Sequence, residues 1–191
     1  MTATEARSGF AVWLTGLPAS GKSSLARELQ RLLAERGVQT LILDSDDWRS
    51  VLTPRPGYTE SEREWFYGVI AFLARWVTRG GVNVLIAATA HRRAYRDRAR
   101  AEIERFAEVY VRCPLEICEH RDPKGIYTLA GTGQAERVPG VGVAYEPPLA
   151  PEALVDTSRL SPTEAAASVL EQLHVLLELS EGDDHAVHHP A

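Results

Sequence analysis

The chain has 191 residues, the usual length of one domain, and its 45% hydrophobic and 25% charged residues exclude a wholly disordered protein. Its net charge of -5 argues against general nucleic-acid binding, which needs a basic face. No stretch approaches the roughly 18 apolar residues that a membrane span needs, and the first ten residues lack the pattern of a secretory signal. We therefore expect a cytoplasmic protein with neither nucleic acid nor membrane as a partner.

Two residue types are rare in this chain. Only Lys22 and Lys124 among its 21 basic residues are lysines, and the remainder are arginines. A lysine ammonium on its flexible stem fits between phosphate oxygens where a planar guanidinium does not, so these two positions are candidates for phosphate contacts. The cysteines Cys113 and Cys118 are interpreted as reduced, buried thiols, because two cysteines make neither a disulfide framework nor a complete zinc site.

Short apolar runs alternate with helical patterns along the chain, which predicts repeated strand-helix units and a parallel sheet. The runs interpreted as strands are residues 10–16, 40–44, 82–88, 108–113 and 153–157. Helical periodicity is found over residues 23–37, 61–79, 92–105, 114–121 and 161–179. In the second of these helices, Trp65 and Trp76 are interpreted as core or dimer contacts.

Proline and glycine mark the segments that lie outside this alternation. Residues 53–57 are expected to form a loop, and residues 122–151, with five prolines and little periodicity, are expected to be irregular, as a functional lid or a disordered segment. We expect a flexible N-terminus over residues 1–9, one domain over residues 10–180 and a disordered tail over residues 181–191. The three histidines of the tail are interpreted as solvated rather than as metal ligands.

The segment GLPASGKS fits the pattern G-x-x-x-x-G-K-[ST] and lies between a predicted strand and a predicted helix, the context that this motif requires. Its backbone amides and the helix N-terminus attract phosphate, Lys22 would reach the β and γ phosphates, and the Ser23 hydroxyl would ligate Mg²⁺. The expected nucleotide contacts are Gly16, Leu17, Pro18, Ala19, Ser20, Gly21, Lys22, Ser23 and Ser24. This loop alone does not separate a kinase from a switch or an ATPase.

Acids follow the second predicted strand, in LDSDDWR. The carboxyl ends of parallel strands are where open α/β sheets bind ligands, so Asp44 or Asp46 could order a Mg²⁺ water or take a proton from an attacking hydroxyl. The alternative for either residue is a helix N-cap, a position that acids favour.

Several segments together resemble the adenylylsulfate kinase family, which uses MgATP to phosphorylate the 3'-hydroxyl of adenosine 5'-phosphosulfate. They are GLPASGKSS, LDSDDWR, GYTESER, PLEICEHRDPKGIY and AYEPP, in register from about residue 10 to residue 157. The resemblance implies the α/β fold of P-loop containing nucleoside triphosphate hydrolases, a five-stranded parallel sheet with flanking helices and a lid. It also implies ATP and Mg²⁺ as cofactors. Members of this family often form dimers, so a homodimer is among the implied partners.

The resemblance assigns roles by position. It implies that Asp46 is the catalytic base and that Arg121 contacts the ATP base. The phosphate loop itself assigns Lys22 to catalysis and Ser23 to the metal, and the acid Asp44 after the second strand is the other metal candidate. Tyr58 replaces the phenylalanine that stacks on the acceptor adenine. The implied acceptor contacts are Asp46, Arg49, Tyr58, Arg63, Thr89, Lys124 and Tyr127.

The acceptor half departs from the family pattern. Phe66 stands in place of an asparagine, Ala90 and His91 in place of Ser-Pro, Gly131 in place of a lid arginine, and Val138 in place of a second aromatic residue. One interpretation is a divergent adenylylsulfate kinase in which Arg92, Arg93 or Arg137 compensates for lost cations. Another is a kinase that accepts a different nucleotide or metabolite. A third is a non-catalytic nucleotide-binding module, against which the retained Asp46 and Lys124 argue.

The basic stretch HRRAYRDRAR has arginines at helical spacing. Arg92, Arg96 and Arg100 recur every four residues, which predicts one cationic stripe on a helix. Nearby acids favour a solvated, partly ion-paired face, and the alternative is an anion contact by Arg93.

Overall fold

The computed structural model of the protein describes residues 8–131 and 137–177. Its five strands form one parallel sheet in the order β2-β3-β1-β4-β5, which confirms the predicted fold class. The strands are β1 (Ala11–Thr15), β2 (Thr40–Asp44), β3 (Asn83–Ala87), β4 (Phe106–Arg112) and β5 (Ala153–Asp156). Every residue of β1 is buried, as expected for a central strand that is covered on both faces.

Seven helices connect or flank these strands in the described residues. They are α1 (Lys22–Glu35), α2 (Ser45–Leu52), α3 (Glu60–Arg79), α4 (Arg93–Glu102), α5 (Leu115–Arg121), α6 (Ile126–Gly131) and α7 (Pro162–Leu177). Helices α2 and α6 were not predicted, and the expectation of irregular structure is wrong at residues 126–131. Helix α4 ends earlier than predicted because Ile103 turns to an extended conformation and buries its side chain.

The two faces of the sheet carry separate cores. Val12 and Leu14 of β1 pack in the cluster that includes the apolar faces of α1 and α7. Ala11 and Trp13 point the other way, into the cluster that includes α3 and α4. This alternation follows from the period of two in a strand. It leaves the carboxyl ends of β1, β2 and β3 side by side at one edge of the sheet.

Some predictions concern residues outside the described ranges. These are residues 1–7 of the N-terminus, 132–136 of the lid, 178–180 at the end of the domain and the tail from residue 181 with its histidines. Within the described ranges, no helix is both long and apolar enough to cross a membrane. Cys113 and Cys118 are free and buried, in agreement with the prediction.

Candidate active site

The turn between β1 and α1 leaves backbone amides open. A Cβ atom on Gly16 would lie 2.3 Å from the carbonyl oxygen of Val111, so only glycine fits there. Gly21 has a φ of 94° and caps α1 without a side-chain hydrogen bond. The first amides of α1 are therefore available to a ligand, and the positive end of the helix dipole favours an anion.

Lys22 lies across the mouth of this turn. Its Nζ atom donates to the carbonyl oxygens of Gly16 at 3.0 Å and Leu17 at 2.7 Å, and lies 3.4 Å from Ser20 Oγ. Burial lowers the pKa of Lys22 to about 8, although the nearby carboxylates of Asp46 and Asp44 favour its charged form. The ammonium is thus held in place by neutral oxygens and can be transferred to a stronger anionic partner.

Ser23 and Asp44 join the turn to the end of β2. The Ser23 hydroxyl donates to Asp44 Oδ2 at 2.5 Å, and Asp44 Oδ1 accepts from the amide of Asp46 at 3.0 Å. Asp44 is therefore the N-cap of α2, which confirms the capping interpretation for this acid. Asp44 Oδ2 and the Ser23 hydroxyl together offer the oxygen ligands that a hard divalent cation prefers.

Asp46 lies in the first turn of α2 and forms an ion pair with Lys124, which precedes α6. Both side chains are more than half exposed, toward a cavity of about 760 Å³. Lys22 also lines this cavity, so the only two lysines of the chain border the same space. The predicted site residues in the cavity wall are Pro18, Ala19, Gly21, Lys22, Ser23, Ser24, Asp44, Asp46, Thr89, Arg121 and Lys124.

The segment from Arg121 to Tyr127 is docked onto the turn after β1. Tyr127 is buried, and its hydroxyl donates to the carbonyl oxygen of Pro18 at 3.0 Å. Arg121 donates to the carbonyl oxygen of Thr157 at 2.6 Å. Asp122 accepts from the amides of Tyr127 and Thr128, which fixes the start of α6. The predicted site residues of this segment therefore lie close to those of the turn.

Three predicted acceptor residues form a cluster that does not line the cavity. The guanidinium carbon of Arg49 lies 3.8 Å from the centroid of the Phe66 ring, and Arg49 Nη1 is 3.1 Å from Glu62 Oε1. Arg63 donates to the carbonyl oxygen of Tyr58 at 3.2 Å. The Tyr58 ring lies 5.1 Å from the Arg49 guanidinium and 5.3 Å from that of Arg63. Sequence reasoning did not foresee that Glu62 and Phe66 would contact Arg49.

The expected solvated stripe of arginines is wrong for Arg96. Its side chain is 1% exposed and forms an ion pair with Glu108 of β4, at 2.5 Å. Arg92 precedes α4 as its N-cap residue instead of lying within it. Glu108 within the largely apolar strand β4 could have predicted this burial, because a buried carboxylate needs a cationic partner.

The interpretation of Trp65 and Trp76 as core residues is also wrong, since the two are 50% and 69% exposed. Both lie on the outer face of α3, where they are available for a contact with another molecule.

The alternative role of Arg93 is an anion contact. The backbone amide of Arg93 donates to Glu146 Oε2 at 2.8 Å.

Comparison with known proteins identifies the family. The family model described as adenylylsulphate kinase matches residues 8–156. The chain belongs to the adenylylsulfate kinase family. A probable adenylyl-sulfate kinase of Pyrococcus abyssi is 40% identical over 164 residues, which cover 86% of this chain and 94% of the relative. As a member of the family, the protein is an ATP-dependent phosphotransferase.

Solved structures of adenylylsulfate kinases share the fold. One from Mycobacterium tuberculosis, described as a complex with AMPPNP and APS, has a TM-score of 0.82 and 32% identity, over 88% of this chain and 99% of that chain. A hexameric APS kinase from Thiobacillus denitrificans has a TM-score of 0.66 and 28% identity. That match covers 93% of this chain and 31% of the longer chain.

Proposed function

We propose that the protein transfers the γ-phosphoryl group of ATP to the 3'-hydroxyl of adenosine 5'-phosphosulfate, in the cytoplasm. The observation that carries this proposal is the meeting of Asp46 and Lys124 with Lys22 in one cavity. A carboxylate for a hydroxyl proton and two cations for phosphate oxygens are what phosphoryl transfer to an alcohol needs. The similarity to a kinase described in complex with AMPPNP and APS supports the choice of both nucleotides.

The donor half is assigned to the turn after β1. The open amides at the start of α1 bind the phosphates, and Lys22 moves from its carbonyl partners to the β and γ phosphates. Ser23 and Asp44 are the residues that would hold Mg²⁺, which when bound neutralises negative charge on the phosphates. We assign Arg121 to the ATP base, and its position in the cavity wall beside Thr157 supports this assignment.

The acceptor half is assigned to Asp46 and the residues around it. Asp46 accepts the proton of the attacking hydroxyl, and its ion pair with Lys124 orients the carboxylate. Burial lowers the pKa of Arg63, whose hydrogen-bond partners are the carbonyl oxygens of Tyr58 and Arg137. A desolvated cation bonded to neutral groups favours an anionic ligand such as phosphosulfate. Thr89 lines the cavity with Asp46, whereas Arg49, Tyr58 and Tyr127 are assigned to the acceptor from the family pattern.

The first test measures ADP release with ATP alone, with adenosine 5'-phosphosulfate, and with a panel of nucleotides and hydroxylated metabolites. Asp46→Asn removes the proton acceptor and should lower kcat by about 10²–10⁴-fold, a typical contribution of general base catalysis. Lys22→Ala should lower it by about 10²–10³-fold because a phosphate-stabilising charge is lost. Asp97→Asn is the control, since it changes an exposed acid of α4 that does not line the cavity and should keep near wild-type turnover.

Near wild-type turnover of the Asp46→Asn protein, with a melting temperature equal to that of the wild type, would remove Asp46 from the catalytic role. The same assay tests a non-catalytic nucleotide-binding module. In that case ATP would bind tightly and no acceptor would increase ADP release.

A different acceptor is the second candidate, and the Arg49 contacts favour it. Glu62 partly neutralises Arg49, and Phe66 covers its guanidinium face, so this cation is less available to a phosphosulfate group. Turnover of another panel compound, together with none of adenosine 5'-phosphosulfate, would decide for this candidate.

We also propose that the protein is a homodimer that pairs through α3. Trp65, Phe72 and Trp76 follow one another at intervals of seven and four residues, which places them on one face of this helix. All three are at least half exposed, and exposed aromatic patches mark interaction surfaces. The hexameric relative supports a second copy of the chain as the partner.

A further inference from the structure

The backbone corner after β3, from Thr89 to His91, has an unusual conformation. Ala90 has a φ of 40°, a left-handed value that a residue with a side chain adopts only where its surroundings hold it. The amide of Ala90 donates to the Tyr67 hydroxyl at 3.1 Å, and its carbonyl oxygen accepts from Nη1 of Arg96. Both backbone polar groups of Ala90 are therefore fixed by side chains, Tyr67 from α3 and Arg96 from α4.

Arg96 connects this corner to two other segments. Its Nη2 atom donates to the carbonyl oxygen of Glu146 at 2.7 Å, and its Nε atom is 2.5 Å from Glu108 Oε1. One buried guanidinium thus joins the corner, the end of the predicted lid and strand β4. Only a planar group with several fixed donors can hold three such partners at once.

The end of the predicted lid runs along the same corner. The amide of Glu146 donates to the carbonyl oxygen of His91 at 2.8 Å. The Tyr145 hydroxyl lies 3.0 Å from Thr15 Oγ1, which donates to the carbonyl oxygen of Thr89 at 2.7 Å. A shift of Arg96 would therefore move the corner and this segment together.

Thr89 makes the corner relevant to the cavity, since it lines the wall that also contains Asp46 and Lys124. We infer that Arg96 is a positioning residue for the acceptor. Through its bond to Ala90, Arg96 fixes the position of Thr89 in the cavity wall, and through its bond to Glu146 it joins Thr89 to the Tyr145–Glu146 segment. Arg96 itself touches no substrate. The inference rests on the proposed function for the identity of the acceptor.

Arg96→Lys tests this role because it keeps the charge but supplies a single donor group. We expect the KM for adenosine 5'-phosphosulfate to rise by about tenfold or more, in line with the cost of small misplacements of a substrate, while the KM for ATP stays within about twofold. Tyr67→Phe removes only the hydroxyl that holds the Ala90 amide. It should raise the acceptor KM in the same direction, by a smaller factor.

Arg100→Lys is the matched control. Arg100 contacts Glu108 and Glu152 in the same ionic network, and among the described residues its hydrogen bonds go to these carboxylates rather than to the carbonyl oxygens that Arg96 binds. We expect its acceptor KM to stay within about twofold of the wild type. Equal increases in the Arg96→Lys and Arg100→Lys proteins would show that only the network's general stability matters, and would overturn the inference. If Arg96→Lys does not fold, an unchanged acceptor KM in Tyr67→Phe overturns it instead.

Hydrogen exchange supplies a readout that does not depend on turnover. The amides of Arg93 and Glu146 bond the corner to the end of the predicted lid, and the amide of Ala90 bonds the corner to Tyr67. They should exchange at least about tenfold faster in Arg96→Lys than in Arg100→Lys, and unchanged protection in Arg96→Lys would contradict the inference. If the wild type does not use adenosine 5'-phosphosulfate, the proposed function fails, whereas the exchange experiment still decides whether Arg96 holds the corner.

Discussion

Lys22 shows how a single side chain can be prepared for its ligand. Its ammonium is bonded to two carbonyl oxygens of the turn, so it lies at the phosphate position before any phosphate arrives. Holding the ammonium there removes it from water, and this burial lowers the pKa of Lys22 to about 8. The phosphates of a bound nucleoside triphosphate would raise the pKa of Lys22 again and favour its charged form. Protonation and nucleotide binding are therefore coupled at this residue.

This coupling predicts a pH dependence of ATP affinity. Below pH 8, Lys22 in the free protein is charged, and the dissociation constant for ATP should be nearly constant. Above pH 8 the free protein loses this proton, so binding must recover it, and the dissociation constant should rise by up to about tenfold per pH unit. Calorimetric titrations with MgATP from pH 7 to 9.5 at fixed ionic strength measure it. Lys22→Ala, with weaker binding and a flat profile, is the control, and a flat wild-type profile would contradict the coupling.

Among the elements, α6 depends on one residue at its start. Asp122 Oδ2 accepts from the amide of Thr128 at 2.9 Å and from its hydroxyl at 3.0 Å, and Oδ1 accepts from the amide of Tyr127 at 3.2 Å. Desolvation opposes ionisation of Asp122, but these hydrogen bonds outweigh it and lower its pKa. Because Lys124 lies between Asp122 and α6, the same bonds position the partner of Asp46.

Asp122→Ala should therefore loosen α6 without unfolding the domain. We expect faster hydrogen exchange over residues 126–131 and a higher acceptor KM, while the thermal unfolding midpoint changes by less than about 2 °C, as for a local opening. Asp122→Asn retains an acceptor for one of the two amides and should lie between Asp122→Ala and the wild type. Wild-type exchange of α6 in Asp122→Ala would show that packing of Tyr127 alone holds the helix.

The elements also show what the sequence can and cannot predict. The five strands and the long helices were predicted because apolar periodicity extends over enough residues to distinguish a strand from a helix. Helices α2 and α6 have eight and six residues, and amides of their first turns bond to the side chains of Asp44 and Asp122, contacts that periodicity does not detect. The donor residues follow from a local motif. The contacts of Arg49 with Glu62 and of Arg96 with Glu108 join residues of different elements, and only the packing of those elements brings them together.

On the scale of the whole molecule, some site residues are held by the sheet and others by a segment that packs onto it. Strands β1, β2 and β3 bring Lys22, Asp44 and Thr89 to one edge through buried pairing in the sheet. Lys124 comes from a segment that side-chain contacts hold in place, namely the bond from Tyr127 to Pro18 and an apolar cluster that includes Leu17. This contrast suits a kinase, because the donor side must stay rigid while a lid closes and excludes water.

The exposed aromatic face of α3 leads to the prediction of a homodimer. Trp76 is 69% exposed, and its face of the helix also carries Trp65 and Phe72. Two copies of this face would bury six aromatic rings, the residue type enriched at interfaces. Light scattering coupled to size exclusion should give twice the mass of a single chain for the wild type at micromolar concentration.

Trp76→Glu places a charge within the proposed contact and should give the mass of a single chain, with little change in the melting temperature of the monomer. Val175→Glu is the matched control, because it charges an equally exposed apolar residue on α7 and should leave the dimer intact. A wild-type mass of one chain, or a dimer unaffected by Trp76→Glu, would contradict pairing through α3. Because the proposed contact is separate from Asp46 and Lys22, the dissociated Trp76→Glu protein should still bind ATP with wild-type affinity.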